Sequence, residues 1–267
     1  MALAGRPSAR YARAMPRATF ADHLVLILGC VAMLAPLALL LRAGLTPEAL
    51  ARVAAAPPPG RPGLGTLLAT SFLIAMGVAL VKTSVSLLAA YALVFFRVPG
   101  ASVIFPLLIL PLFLPIESRI LPTILVVDAL GLLNTYTGLI LPVTATGLGT
   151  LILRGQLKQM PPELMEAARI DGAGPWRAFV DIVVPMSVPV LAALLAFFFV
   201  LGWNQYLWPL VATPSAPDRA TVVSGIAMLR AGSQASLALA AIAMGPPLVV
   251  FALAGRWIAT GLAPIRA

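Results

Sequence analysis

Apolar residues along this 267-residue chain gather into long, nearly unbroken runs, and polar and charged residues are largely confined to the stretches between them. Six runs stand out, at about residues 24–41, 66–96, 101–121, 136–153, 188–210 and 237–258. Each is close to the ~20 apolar residues that carry an α-helix across the hydrocarbon of a bilayer. They are continuous and not alternating, which predicts helices and excludes the strands of a membrane barrel. The expectation is an all-α, polytopic membrane protein with six transmembrane helices. The second run is overlong for one crossing, so it must tilt or protrude, and it holds Lys82 near its middle. Pro111, Pro115, Pro142, Pro246 and Pro247 interrupt several runs, and each removes a backbone donor whose carbonyl partner must be satisfied by another helix or by water.

Composition agrees: 61% of the residues are hydrophobic, 10% are charged and the mean hydropathy is +1.01, far from the profile of a soluble domain. The basic residues set an orientation. With the N-terminus inside, the inner segments hold eleven of them: Arg6, Arg10, Arg13, Arg17, Arg97, Arg154, Lys158, Arg169, Arg177, Arg256 and Arg266. The outer segments hold six, namely Arg42, Arg52, Arg61, Arg119, Arg219 and Arg230. The excess predicts a multi-pass membrane protein with both termini cytoplasmic. The net charge of +9 is dispersed over the loops without a stripe interleaved with aromatics, so it reads as topology and not as nucleic-acid binding. The basic N-terminus imitates a signal peptide, but the ~18-residue run behind it exceeds an h-region of ~7 to 15 residues and reads as a retained helix.

Candidate catalytic chemistry is sparse. His23 is the only histidine and Cys30 the only cysteine, and no HExxH, GxSxG or Gly-Lys phosphate loop occurs, so neither a metal site, a nucleophile nor an ATP site is expected. The chain does not read as an enzyme.

The longest inner polar stretch begins at Arg154, and residues 161–185 read PPELMEAARIDGAGPWRAFVDIVVP. Pro161 and Pro162 suit a first helical turn, Glu163 favours the positive end of its dipole, and Leu164, Ala167, Ala168 and Ile170 are helix formers. Gly172 and Gly174 stop that helix, and Pro175 opens a second short one that Pro185 and Pro189 lead into the fifth span. A plain amphipathic surface segment would pair Glu166 with Arg169 at i,i+3.

The spacing from Glu166-Ala167-Ala168 through Gly172 and Ile182 to Pro185 resembles the EAA loop of ABC import permeases, with Val184 where that family usually has Leu. The resemblance implies a type I ABC importer permease fold. It also implies a coupling helix, docked on a cytoplasmic ATPase through Glu166, Ala167, Ala168, Asp171 and Gly172. Nearly the whole chain is similar to MalG-type permeases of sugar importers: Ala90 to Leu93 with Arg97, GLLNTYTGLILP at 131–142 and WNQYLWPL at 203–210 match its strings, and Thr70-Ser71-Phe72 stands where the family often has Asn-Ser-Phe. LPIESRILPT at 114–123 and Gln205-Tyr206 are more similar to the MalG-type permeases of glycerol-3-phosphate importers, which implies transport of glycerol-3-phosphate or a related phosphodiester. The partners implied are a sister permease in a pseudo-symmetric pair, two ATPase subunits and an external solute-binding protein, periplasmic or lipid-anchored. No cofactor is expected on this chain, with ATP and magnesium at the partner ATPase.

Lys82 in the second span and Arg119, read as lying near the outer end of the third, are candidates for a positive translocation path together with Glu117, Asn204, Gln205 and Tyr206. The plainer alternatives are that Arg119 snorkels beside Glu117, that Lys82 meets a backbone carbonyl or a partner subunit, and that Trp203 and Trp208 anchor a helix at the outer interface. A neutral sugar or polyol permease remains open, and so, at greater distance, does a stand-alone secondary transporter, although no acid sits mid-span to couple one. The organisation expected is a tail at residues 1–23, a six-helix domain at 24–260 containing the cytoplasmic loop 154–185, and a tail at 261–267.

Overall fold

The computed structural model describes residues 19–55, 57, 60–145 and 147–261, without the side chains of residues 116, 117, 256 and 258–261. Both tails, with Arg6, Arg10, Arg13, Arg17 and Arg266, lie largely outside the described residues, as do the side chains of Arg256 and Glu117.

Helix α1 (Phe20–Gly44) starts at a capping box: Thr19 accepts from the Asp22 amide, and the Asp22 carboxylate accepts from the Thr19 amide at 2.7 Å. Its apolar side chains point outward; Val25 is 69% and Met33 77% exposed, and only Gly44 is buried. An inverted surface of this kind needs lipid around it. After the short α2 (Pro47–Ala54), α3 (Leu64–Phe95) runs for 32 residues, roughly 48 Å at 1.5 Å per residue, well beyond a hydrocarbon core of ~30 Å. The overlong second run is therefore one protruding helix.

The third run departs from the single expected span. Helix α4 (Ala101–Ile109) passes through a 3₁₀ turn at Leu110–Phe113, and α5 (Ile116–Ala129) leaves at 111°. Leu114 is extended at the break, and Pro111 and Pro115 withhold the amides that would carry a helix across it. The apolar helical stretch thus reaches Ala129, eight residues past the expected end at 121, and Arg119 falls on the early turns of α5 just after the break, not at a helix end. The fourth run divides similarly into α6 (Tyr136–Thr144) and α7 (Leu148–Leu157), bent by 49°.

Helix α8 (Pro162–Ile170) is the first loop helix. The second, α9 (Pro175–Ala178), does not stop before the fifth span as expected. It continues through a π turn at Phe179–Val183 into α10 (Val184–Trp203), forming one 29-residue rod. The π turn, closed by the Val184 amide on the Phe179 carbonyl, carries the chain past Pro185 without breaking it. The rod ends at Trp203, seven residues before the expected end at 210, and the chain resumes in α11 (Leu207–Ala212). Then follow α12 (Val222–Ala227), α13 (Gln234–Ala243) and α14 (Gly245–Gly261). Among the described residues four helices are long and apolar enough to cross alone, and with each bent pair taken as one span the crossings number up to six.

Helix α3 is the hub. It packs along α10, α7 and α6, while α10 also packs along α14 and α1 leans on α13. Helix α10 comes close to α3 at Gly202, where a Cβ would lie 2.8 Å from the Ala75 Cα. Phe198, Phe199 and Trp203 fill the core beside it.

Candidate functional site

Breaks in three spans open a cavity of ≈ 220 Å³ against the middle of α3. Lys82 reaches it from α3, Arg119 and Thr123 from α5, Val143 from α6, Gln205 from the non-helical residues between α10 and α11, and Trp208 from α11. The two cations expected to mark a path, and one of the expected amides, therefore share a site. Lys82 is only 6% exposed; its Nζ donates to the Val143 carbonyl at 3.1 Å and lies 4.9 Å from the centre of the Phe198 ring. That carbonyl is free because α6 ends one residue later, so the plain carbonyl reading of Lys82 holds alongside its place on the cavity. Arg119 lines the cavity; its Nε is buried without a hydrogen-bond partner among the described residues, while Thr123 Oγ1 donates to its carbonyl at 2.6 Å. Gln205 Oε1 is likewise buried and unpartnered among the described residues. No carboxylate of the described residues lines this cavity beside its two cations; the Glu117 side chain is not among them.

The remaining expected path residues stand elsewhere. Asn204 is exposed, Tyr206 is 41% exposed, and neither lines the cavity. The Glu117 side chain lies outside the described residues. The break after Trp203 explains the divergence: once the helix stops, successive side chains no longer follow helical spacing, and Gln205 alone of the three turns inward.

Trp203 and Trp208 do not anchor an interface; they are 1% and 5% exposed. Each indole serves a carbonyl that a proline has orphaned. Pro142 has no amide for the Gly138 carbonyl four residues back, and Trp208 Nε1 donates to that carbonyl at 3.3 Å. Pro247 likewise has none for the Ala243 carbonyl, and Trp203 Nε1 donates there at 3.0 Å. Sequence reading named these prolines and tryptophans separately and missed that they are partners. It also missed Thr123 and the Val143 carbonyl.

The second feature is the loop surface. Helix α8 ends in a Schellman motif: the Ala173 amide bonds the Ala168 carbonyl at 2.8 Å, the Gly172 amide bonds the Arg169 carbonyl at 3.1 Å, and Gly172 takes φ +74°. Met165 and Ala168 face the bundle. Ala168 is thus turned away from the surface on which the sequence pattern had grouped it. Glu166, Ala167, Asp171 and Gly172 are exposed, with Ile170 86% and Trp176 69% exposed beside them. No Glu166–Arg169 ion pair forms among the described residues; the loop's pair is Arg177–Asp181 at 3.3 Å. Tyr91 ties the loop to α3, donating from its hydroxyl to the Pro175 carbonyl at 2.8 Å, with its ring 5.0 Å from that of Phe179. Gln156 Nε2 donates to the Met186 carbonyl at 3.2 Å and joins α7 to the rod. Among the described residues no group of three or more His, Cys, Asp and Glu converges to hold a metal.

Residues 82–264 match the family described as "binding-protein-dependent transport system inner membrane component". The chain is 44% identical over 204 residues, 74% of its own length and 72% of the relative's, to the sn-glycerol-3-phosphate transport system permease protein UgpE of Pectobacterium atrosepticum. Identity is 45% over 204 residues to the Yersinia pestis protein of that name and 41% over 205 residues to that of Brucella melitensis, with the same coverage. Among solved structures, a chain of a bacterial ABC transporter involved in the import of the acidic polysaccharide alginate superposes with a TM-score of 0.77 at 17% identity, over 89% of this chain and 95% of that one.

Proposed function

The chain belongs to the inner-membrane components of binding-protein-dependent transport systems, the permeases of ABC importers, and from that premise we propose that its solute is sn-glycerol 3-phosphate or a closely related phosphodiester. The observation that carries the solute class is the meeting of Lys82 and Arg119 at one small cavity without a carboxylate among the described residues. Each such cation costs ~2.5–3.5 kcal/mol near a bilayer centre, and a phosphate monoester carrying about −1.5 to −2 charges offsets that cost while it occupies the site. The names of the relatives support the same reading. The volume, about seven waters at ~30 Å³ each, suits a compact solute over an oligosaccharide on this chain's half of the path.

The full machine in this reading pairs the chain with a sister permease, two ATPase subunits that bind ATP and magnesium, and an external solute-binding protein, with both termini cytoplasmic. Glu166, Ala167, Asp171 and Gly172 present the coupling surface, and Ala168 seats it. The rod from Pro175 to Trp203 spans roughly 43 Å and runs from the loop to the residue that precedes the cavity break, so a displacement of the loop is carried along one helix to within two residues of Gln205. Closure of the ATPases shifts the bundle between inward-open and outward-open states, and the solute acts through its different affinity for the two.

The test is uptake and ATP hydrolysis by the reconstituted complex with its binding protein. Glycerol 3-phosphate is expected to stimulate hydrolysis, and the double variant Lys82→Met, Arg119→Gln is expected to lose at least tenfold in uptake, given ~1.5–3 kcal/mol per charge-assisted hydrogen bond. An assembled complex that responds to a neutral sugar or polyol and not to the phosphate ester, or a double variant with unchanged affinity and rate, rejects the solute assignment.

A further inference from the structure

Two cations account for a phosphate, yet they cannot distinguish one phosphate ester from another. Lys82 and Arg119 are donors only, and the Trp208 indole is already committed to the Gly138 carbonyl. The Thr123 hydroxyl commits its proton to the Arg119 carbonyl, leaving only its lone pairs for the cavity. Gln205 Oε1 is different: it is an acceptor at the same cavity, buried and without a partner among the described residues. A buried acceptor left bare in a site otherwise supplied with donors calls for a donor on the ligand, and the donor that a polyol phosphate brings is its hydroxyl.

The backbone holds this acceptor in place from both sides. On one side, the approach of Gly202 to Ala75 fixes the end of α10 against α3. On the other, the Gln205 carbonyl accepts from Thr221 Oγ1 at 3.2 Å, and Thr221 is itself fully buried and caps α12 through the Ser224 amide. We infer that Gln205 is the specificity-determining residue of this permease for the polyol part of its solute: its side-chain oxygen accepts a hydrogen bond from a solute hydroxyl while Lys82 and Arg119 hold the phosphate. The inference rests on the solute class proposed above.

The experiment compares two probes, sn-glycerol 3-phosphate and propyl phosphate, which has the same carbon chain and phosphate but no hydroxyl. Equilibrium binding of each is measured on the assembled complex in nanodiscs, with ATP and hydrolysis-inactive ATPase subunits and without the binding protein. Wild type is expected to prefer glycerol 3-phosphate. Gln205→Met, similar in length and lacking the acceptor, is expected to weaken glycerol 3-phosphate about tenfold and leave propyl phosphate within about twofold, the pattern of one lost hydrogen bond. Asn204→Met, at the exposed neighbour, is expected to change neither. If Gln205→Met weakens both probes equally, Gln205 is structural and the inference falls; it falls too if neither changes. Wild type binding both probes alike also overturns the role of Gln205 while leaving the anion reading intact. Wild type binding neither overturns the solute class itself.

Discussion

The exchange of donors between prolines and tryptophans makes a demand on stability that can be measured as a coupling. Trp203 Nε1 occupies the Ala243 carbonyl at 3.0 Å because Pro247 has no amide to offer it. Trp203→Phe keeps a ring in a site that is 1% exposed and removes that donor, leaving a buried carbonyl bare, which costs ~1–3 kcal/mol. Pro247→Ala restores an amide within the helix, so the carbonyl has a second partner and the same Trp203→Phe change loses most of that cost. The coupling between the two sites is then on the order of 1–2 kcal/mol. In a chain of this size that is a difference of roughly 2–8 °C in midpoint, on the scale of ~2–4 °C per kcal/mol for soluble domains of 150–250 residues. Thermal denaturation of the purified chain in nanodiscs, for wild type, both single variants and the double variant, gives the cycle. Trp208 supplies a crossed control: its partner carbonyl is orphaned by Pro142, so Trp208→Phe is expected to couple with Pro142→Ala and to add independently with Pro247→Ala. Equal losses for Trp203→Phe with and without Pro247 would refute the donor-exchange argument and leave the indoles as packing alone.

Gly202→Ala places a methyl 2.8 Å from the Ala75 Cα, roughly 0.7 Å inside ordinary ~3.5 Å contact, so α10 must shift against α3 at a cost of ~1–3 kcal/mol. It is expected to lower the melting midpoint and raise the KM for uptake because Gln205 moves with it, whereas Gly29→Ala, with open space around it, is expected to do neither; matched behaviour of the two in melting and uptake assays would count against a close-packed joint. Gly172→Ala meets no atom within 4 Å, so its effect is the left-handed backbone penalty of ~1–2 kcal/mol at the end of α8. Solute binding to the assembled complex is expected to persist while solute-stimulated ATP hydrolysis falls, and an unimpaired hydrolysis rate would remove the loop end from the coupling surface.

The sequence by itself determined the environment, the number of crossings and the position of the loop on α8. Six apolar runs have one stable solution in lipid, because a helix alone satisfies its own backbone, and Pro162, Glu163 and Gly172 mark the ends of α8 by local chemistry. Local rules also reached Lys82 and Arg119, since a cation in an apolar run is conspicuous without any fold. The tertiary structure alone decided which faces of the helices turn inward. Lipid is as apolar as leucine, so α1, α3 and α10 carry no amphipathic stripe from which to read an inner face. That is why the tryptophans of residues 203–210 read as interface anchors when they are buried donors, and why Gln205 could not be separated from Asn204 and Tyr206. The fate of a proline was beyond local rules for the same reason. Whether it breaks a span, as Pro111 and Pro115 do, or is carried through a π turn, as Pro185 is, depends on which distant group or altered backbone bond takes up the orphaned carbonyl, and only the packed bundle supplies it.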